Sequence, residues 1–276
     1  MIRIEAYAKL NLSLHVGERR ADGFHSISSL VQTIDLCDRI TIEGIDRGLR
    51  VENDLAGLDG KDLAERAAEA ILKHKRLDEG LAIRVEKGIP AGAGLGGGSS
   101  DAAAVLSALD SLLEPEISSE RLGRLATELG SDVPLFLRGG LLRVGGRGEL
   151  VSEVGPSIEE SLLIVVPPVH CATGVVYRQF DEISNGNRTF DGLGENALLE
   201  AALAAYPELA PYRDAMNSLD ADYAGMSGSG SSFFAAFADA SSRARAREQV
   251  ARMLPEARTF ECAATETGHR RTGGEL

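Results

Sequence analysis

The chain has no tryptophan, only 5% aromatic residues, three cysteines and apolar runs, such as Leu162 to Val166, that are no longer than a strand. Without a stretch approaching about 20 apolar residues, no membrane span is expected. Cys37, Cys171 and Cys262 are scattered, odd in number and without metal-ligand spacing. That pattern excludes a disulfide framework, fits a reducing cytoplasm, and makes the thiols core or semi-buried residues. The N-terminus opens on the strand-like Ile2-Arg3-Ile4-Glu5, so neither a secretory signal nor a transit peptide is expected. Basic residues are scarce relative to acidic ones, 29 against 42, for a net charge of −13. Nonspecific binding to nucleic acid or to an anionic membrane is thereby disfavoured. An anionic small molecule is still allowed, because local cations and backbone dipoles act at short range.

Glycine, by contrast, is concentrated. Between Pro90 and Ser100 the chain reads Pro90-Ala91-Gly92-Ala93-Gly94-Leu95-Gly96-Gly97-Gly98-Ser99-Ser100, with five glycines inside seven positions. The preceding Leu81 to Lys87 alternates as a half-buried strand, and Asp101 to Leu109 continues as an alanine-rich helix that Ser99 or Ser100 could cap. Uncovered amides at a helix N-terminus form a cradle for phosphate. No lysine follows the glycines, so the loop is not a Walker A motif. Gly92, Gly94 and Gly97 match a dinucleotide fingerprint formally. The helix is followed by Pro115 and a second helical pattern, Ile117 to Leu129, and not by the strand that fingerprint requires.

The 276 residues, 43% hydrophobic, suit one large or two modest domains of mixed α+β class. Strand patterns cover Ile2 to Val16, Ile27 to Leu36 and Arg39 to Glu43, with a helix from Asp62 to Lys75 and a hairpin around Gly139 to Val151. Glu153 to Glu160 is the best linker, which divides the chain into 1–155, carrying the phosphate loop, and 156–276. The second half reads as strand, three helices, strand, a Gly/Ser loop, strand, the helix Ala240 to Leu254 and the strand Thr259 to Cys262. The tail Thr267 to Leu276 reads as frayed.

Four more blocks stand out. Met226-Ser227-Gly228-Ser229-Gly230-Ser231-Ser232 is a second glycine-serine loop, by itself a tight turn but with the first loop a second wall of one phosphate site. Ala8-Lys9-Leu10-Asn11-Leu12 places a lysine in an apolar strand, and Asp22-Gly23-Phe24-His25 offers an aromatic and an imidazole at a turn. Read alone, Lys9 is a strand-edge lysine and His25 a satisfied turn residue. Gly130-Ser131-Asp132-Val133-Pro134-Leu135-Phe136 could be a simple helix cap, with Asp132 holding backbone amides.

Taken together in this order, the blocks resemble the GHMP kinase superfamily of galactokinase, homoserine kinase, mevalonate kinase and phosphomevalonate kinase. Within it they are most similar to the family acting on 4-diphosphocytidyl-2-C-methyl-D-erythritol in the non-mevalonate route to isoprenoid precursors. The resemblance runs from Ala8 to Phe237, and Gly96 to Asp101 with Asp22 to His25 separate this branch from its relatives. It implies an N-terminal half like ribosomal protein S5 domain 2, a ferredoxin-like C-terminal half and an active site between them. It implies ATP with its phosphates on Pro90 to Ser100, Mg²⁺ near Ser99 or Ser100, and transfer of the γ-phosphoryl to the 2-hydroxyl of the acceptor. No protein metal cage is expected.

By the same resemblance, Asp132 is the general base and Lys9 lies beside it and the alcohol. Asn11 reaches the methylerythritol hydroxyls, Phe24 and Tyr177 sandwich the cytosine, and His25 presents ring and backbone groups to the base edge. Gly228, Ser229 and Gly230 close near the diphosphate. The resemblance fits a cytoplasmic monomer or homodimer. Phe24 stands where tyrosine is usual, and Asp62 where asparagine is common near the adenine. Competing readings are a sibling kinase for homoserine, mevalonate or a sugar, a nucleotide-binding regulator without turnover, and an RNA-binding protein built on the S5-like half. The acidic balance opposes the last.

Overall fold

The computed structural model describes residues 1–54, 62–77, 79–183 and 192–274. Its spine is an antiparallel hairpin of two long strands, β1 (Ile2–Arg19) and β2 (His25–Gly44). The chain continues through β3 (Leu49–Asn53), α1 (Leu63–Lys75) and β4 (Leu81–Glu86), so that β3 and β4 pair in parallel across a helical connection. Then come α2 (Gly97–Leu112), α3 (Ser119–Leu129), the short α4 (Val133–Arg138), β5 (Leu141–Gly146) and β6 (Leu150–Gly155). The remainder is β7 (Ser161–Val166), α5 (Thr173–Ile183), α6 (Leu199–Ala205), α7 (Ala210–Asn217), β8 (Tyr223–Met226), β9 (Phe233–Phe237), α8 (Ala240–Met253), β10 (Arg258–Cys262) and β11 (His269–Gly273). One sheet runs β11-β1-β2-β4-β3 with β5 and β6 branching from β2, and a four-stranded antiparallel sheet runs β10-β7-β9-β8.

Period-two alternation explains how the sheets join. In β7, Leu163 and Val165 pack under the helices of the second half, while Leu162, Ile164 and Val166 face the other way into a core shared with Ala8, Leu10 and Leu12 of β1. In β9, Phe234 and Ala236 enter that shared core and Phe233, Ala235 and Phe237 the helical one. A sheet buried on both faces needs near-continuous apolar strands, which is why Leu162 to Val166 and Phe233 to Phe237 read as unbroken runs. On β1 the even positions Ala8, Leu10 and Leu12 are buried in the shared core. Lys9 and Asn11 therefore project from the opposite face. Among the described residues, no helix is long and apolar enough to cross a membrane.

The C-terminal segment departs from the frayed tail expected of it. Strand β11 returns to the first sheet and pairs with β1, the Tyr7 amide donates to the Gly268 carbonyl at 3.0 Å, and Arg270 pairs with Glu5 at 2.9 Å. Its side chains are polar and mostly exposed, so its order comes from the backbone ladder and carries no hydrophobic signature. The helix expected from Ile117 starts at Ser119, and the strand patterns of Ile27 to Leu36 and Arg39 to Glu43 merge into one strand, β2, with an irregularity opposite Tyr7 and Ala8.

The shared core predicts a measurable cost. Phe234 is fully buried between the two sheets, and Phe234→Ala is expected to lower unfolding free energy by about 3–5 kcal/mol in urea titrations. A loss below about 1 kcal/mol would contradict a core at this place.

Candidate active site

The glycine loop is pinned by its carbonyls. The Lys9 amide donates to the Leu95 carbonyl at 3.0 Å, the Ser227 hydroxyl to the Gly94 carbonyl at 3.0 Å, and the Ser232 amide and hydroxyl to the Ala93 carbonyl at 3.1 and 2.5 Å. Gly92, Gly94 and Gly96 have φ of +66°, +78° and +77°, a region that L side chains enter only with strain. A side chain at Gly94 would also lie 2.2 Å from the Ser227 carbonyl. Among the described residues, none of the amides from Gly92 to Ser99 is donated to another protein group. They lie at the start of α2, where the helix dipole is positive.

Two cavities meet on this loop. One, of about 410 Å³, is lined by Asn53, Asp62, Leu63, Lys87, Asp101 and the stretch from Ile89 to Ser99. The other, of about 610 Å³, is lined by Lys9, Asn11, Phe24, His25, Ser131, Asp132, Tyr177, Gly228 and Ser229, with Arg19, Arg147, Arg178 and Asp181. Gly94 and Gly96 belong to both. Four cations thus face two carboxylates in the second cavity, a local excess of positive charge inside an acidic chain.

Lys9 is 5% exposed, and its ammonium donates to Asn11 Oδ1 at 2.5 Å. Burial lowers its pKa from the ordinary lysine value, and the nearby charge of Asp132 opposes that shift. Asp132 precedes α4 but makes no capping hydrogen bond with its side chain. Its carboxylate faces the cavity instead of backbone amides, against the simple-cap alternative. Burial, and after it the charge of Asp132, push the Tyr177 phenol up to about 12. Lys9, Asp132 and Tyr177 therefore address the same space.

The base-side residues gather at the junction of β2 and α5. The His25 ring lies 5.5 Å from the Tyr177 ring and 5.8 Å from Phe180. Its Nδ1 meets the Gly17 carbonyl at 2.9 Å and its Nε2 meets Asp181 at 2.9 Å. Both ring nitrogens are thus engaged within the protein, against the expectation of a ring open to a base edge. Phe24 is 53% exposed with the Arg147 guanidinium 4.9 Å from its ring centre, so one of its two faces is already covered.

Ser100 and Gly230 are turned away, and Asp62 lines a cavity with both oxygens already engaged. Ser100 is fully buried, its hydroxyl donating to the Tyr7 carbonyl at 2.7 Å, because the first turn of α2 rotates it onto β1; Ser99 is the hydroxyl facing the groove. Gly230 packs beside Met226 and Cys171, while Gly228 and Ser229 line the cavity. Asp62 lines the groove, but one oxygen caps α1 through the Ala64 amide at 2.9 Å and the other accepts from Asn53 at 2.5 Å.

Sequence reasoning passed over Arg19, Arg147, Arg178, Asp181 and Asn196. Asn196 donates to the Met226 and Gly228 carbonyls at 2.7 and 2.8 Å and, bridged to Leu14, ties the second loop to β1. The one signal for Arg147 was its place between Gly146 and Gly148 at a hairpin turn.

With this geometry established, comparison with known proteins is decisive. A kinase from Thiobacillus denitrificans, 4-diphosphocytidyl-2-C-methyl-D-erythritol kinase, is 38% identical over 241 residues, which cover 84% of this chain and 85% of that protein. The chain belongs to the 4-diphosphocytidyl-2-C-methyl-D-erythritol kinase family. The like-named protein of Pseudothermotoga lettingae is 37% identical over 253 residues, covering 85% and 91%. The family models "GHMP kinases N terminal domain" and "GHMP kinases C terminal" match residues 62–140 and 180–256. A crystal structure of 4-(cytidine 5'-diphospho)-2C-methyl-D-erythritol kinase superposes with a TM-score of 0.80 at 34% identity, covering 95% of this chain and 98% of that one. Homoserine kinase from Cytophaga hutchinsonii, 16% identical with a TM-score of 0.71, shares the fold.

The environment of Lys9 predicts a pH dependence. Its positive charge is lost as pH rises through a pKa held below the ordinary lysine value, so kcat/KM should fall on the alkaline side before that value is reached. Tyr177, at about 12, titrates later. In Lys9→Arg the residual rate should keep no such limb, because guanidinium stays charged; an unchanged limb would assign it elsewhere.

Proposed function

We propose that this chain transfers the γ-phosphoryl group of ATP to the 2-hydroxyl of 4-diphosphocytidyl-2-C-methyl-D-erythritol, with Asp132 as general base and Lys9 as the cation beside the reacting oxygen. Family membership makes it an ATP-dependent kinase of isoprenoid precursor synthesis. The observation that carries the site assignment is the junction of the two cavities at Gly94 and Gly96, with Lys9 and Asp132 on the acceptor side.

The nucleotide groove fits a polyphosphate on its own terms. Its floor is a row of undonated amides at a helix start, made from glycines whose backbone allows close approach. Among the described residues, no cluster of His, Cys, Asp or Glu is placed to cage a metal ion. Mg²⁺ would be held mainly by the phosphate oxygens with the Ser99 hydroxyl at the groove wall, where it supplies neutralisation of phosphate charge.

A tertiary alcohol holds its proton far above neutral pH, so a carboxylate that accepts this proton as the bond to phosphorus forms lowers the barrier. Asp132 is free to do so because it caps nothing. Lys9, fixed by Asn11 and by the backbone bond to Leu95, opposes the charge that builds on the transferring group. Gly228 and Ser229 border the acceptor side, with Arg147 and Arg178 providing positive charge for its diphosphate. Tyr177 and the open face of Phe24 are the stacking surfaces for cytosine, each worth about 1–3 kcal/mol.

The test is ADP release with ATP and Mg²⁺, offering the cytidylyl acceptor beside mevalonate, homoserine and galactose. Turnover is expected with the first alone, and Asp132→Asn should cut kcat by about 10²–10⁴. Turnover with another alcohol would overturn the acceptor assignment, and an Asp132→Asn rate within about threefold of wild type would remove Asp132 as the base.

A further inference from the structure

A buried charge cluster underlies the nucleotide loop, and its central carboxylate, Asp38, belongs to none of the motifs that mark it. Asp38, on β2, is fully buried. Its Oδ1 accepts from the Gly88 and Ile89 amides at 2.7 and 2.8 Å, and its Oδ2 meets the Lys87 ammonium. Lys87 also reaches Asp101, in the second turn of α2, at 2.5 Å. The Cα of Gly97 lies so close that a side chain there would stand 3.2 Å from Asp38 Oδ2. Asp38 therefore holds the segment that enters the glycine loop, at 87–89, directly, and is tied to the start of α2 through Lys87, which bridges to Asp101.

An unpaired buried carboxylate is costly, and it is tolerated when hydrogen-bond donors and an opposite charge surround it. Three donors to Asp38 come from the segment that leads into the loop: Lys87, Gly88 and Ile89. Displacing that segment would strip the carboxylate of all three, so Asp38 resists movement of residues 87–89, from which the loop departs. Each of these bonds is charge-assisted, the stronger kind.

We propose that Asp38 is a positioning residue for phosphoryl transfer, a carboxylate that clamps both ends of the nucleotide loop and sets its amides in place before ATP binds. This rests on the reading of the loop as the ATP phosphate site. Asp38 touches neither substrate. Its action is to remove the ordering cost that a mobile loop would impose on nucleotide binding.

The variant is Asp38→Asn, which keeps the size and one acceptor but removes the charge. KM for ATP should rise about tenfold or more while KM for the acceptor stays within about twofold, the loss of a charge-assisted bond appearing on one substrate only. A lowered melting temperature with KM for ATP unchanged would reduce Asp38 to a structural part and overturn the proposal, as would equal rises in both KM values. Hydrogen exchange on the wild-type protein without nucleotide supplies a reading that does not depend on the variant folding. Slow exchange at the Gly88 and Ile89 amides is expected, and exchange at the rate of an open loop would overturn the clamp. Failure of the kinase reading is distinguishable, since it would appear as no ATP turnover in a wild-type protein whose amide protection is intact.

Discussion

Everything in the site depends on which side of the glycine loop is bound to the protein. The carbonyls of Ala93, Gly94 and Leu95 are held by Ser232, Ser227 and the backbone of Lys9, two segments from the two halves of the chain. A peptide whose carbonyl is fixed inward presents its neighbours' amides outward, so these bonds determine that the open side of the loop is its donor side. Gly94 can be pressed against Ser227 only because it lacks a side chain. The same contacts bring the second glycine-serine loop against the first, and the Asn11 amide donates to the Ser227 hydroxyl at 3.2 Å. The lysine strand and both loops are thus one hydrogen-bonded unit.

Charge is arranged against the global balance. The chain carries a net −13, yet the acceptor cavity gathers Lys9, Arg19, Arg147 and Arg178 around Asp132 and Asp181. Short-range cations and oriented amides govern a partly enclosed cleft, while the surface acids lie in water where salt screens them within about a Debye length, near 8–10 Å. Acidic composition speaks to the surface and does not set the local charge of the cleft. Lys9 illustrates the local rule: burial disfavours its charge, Asp132 restores part of it, and the ammonium keeps Asn11 as its hydrogen-bond partner.

The parts legible in the sequence were those with local physical signatures. Alternation along β1, the glycine string before an alanine-rich helix, and the apolar runs of β7 and β9 each encode their own geometry. The glycine loop therefore lies between β4 and α2 as the pattern indicated, and the α+β class followed from the order of patterns. Tertiary decisions were not legible. Ser99 and Ser100 look alike in sequence, and only the rotation of α2 against β1 separates a groove hydroxyl from one buried on the Tyr7 carbonyl. His25 reads as an available imidazole until α5 supplies Asp181, 156 residues away in the chain. Strand β11 lacks alternating apolar residues because its support is the β1 backbone, and Asp38 lies in a strand whose partner loop begins 49 residues later. Arg147 and Arg178 converge from a hairpin turn and a helix that no motif links.

The most direct test of the account is a crystal structure with a non-hydrolysable ATP analogue and 4-diphosphocytidyl-2-C-methyl-D-erythritol bound together. The account predicts the triphosphate on the amides of Gly92 to Ser99, its terminal phosphate at Gly94 and Gly96, and the acceptor hydroxyl between that phosphate and the Asp132 carboxylate with Lys9 alongside. A triphosphate lying away from the loop, or an acceptor whose hydroxyl points away from Asp132, would contradict it.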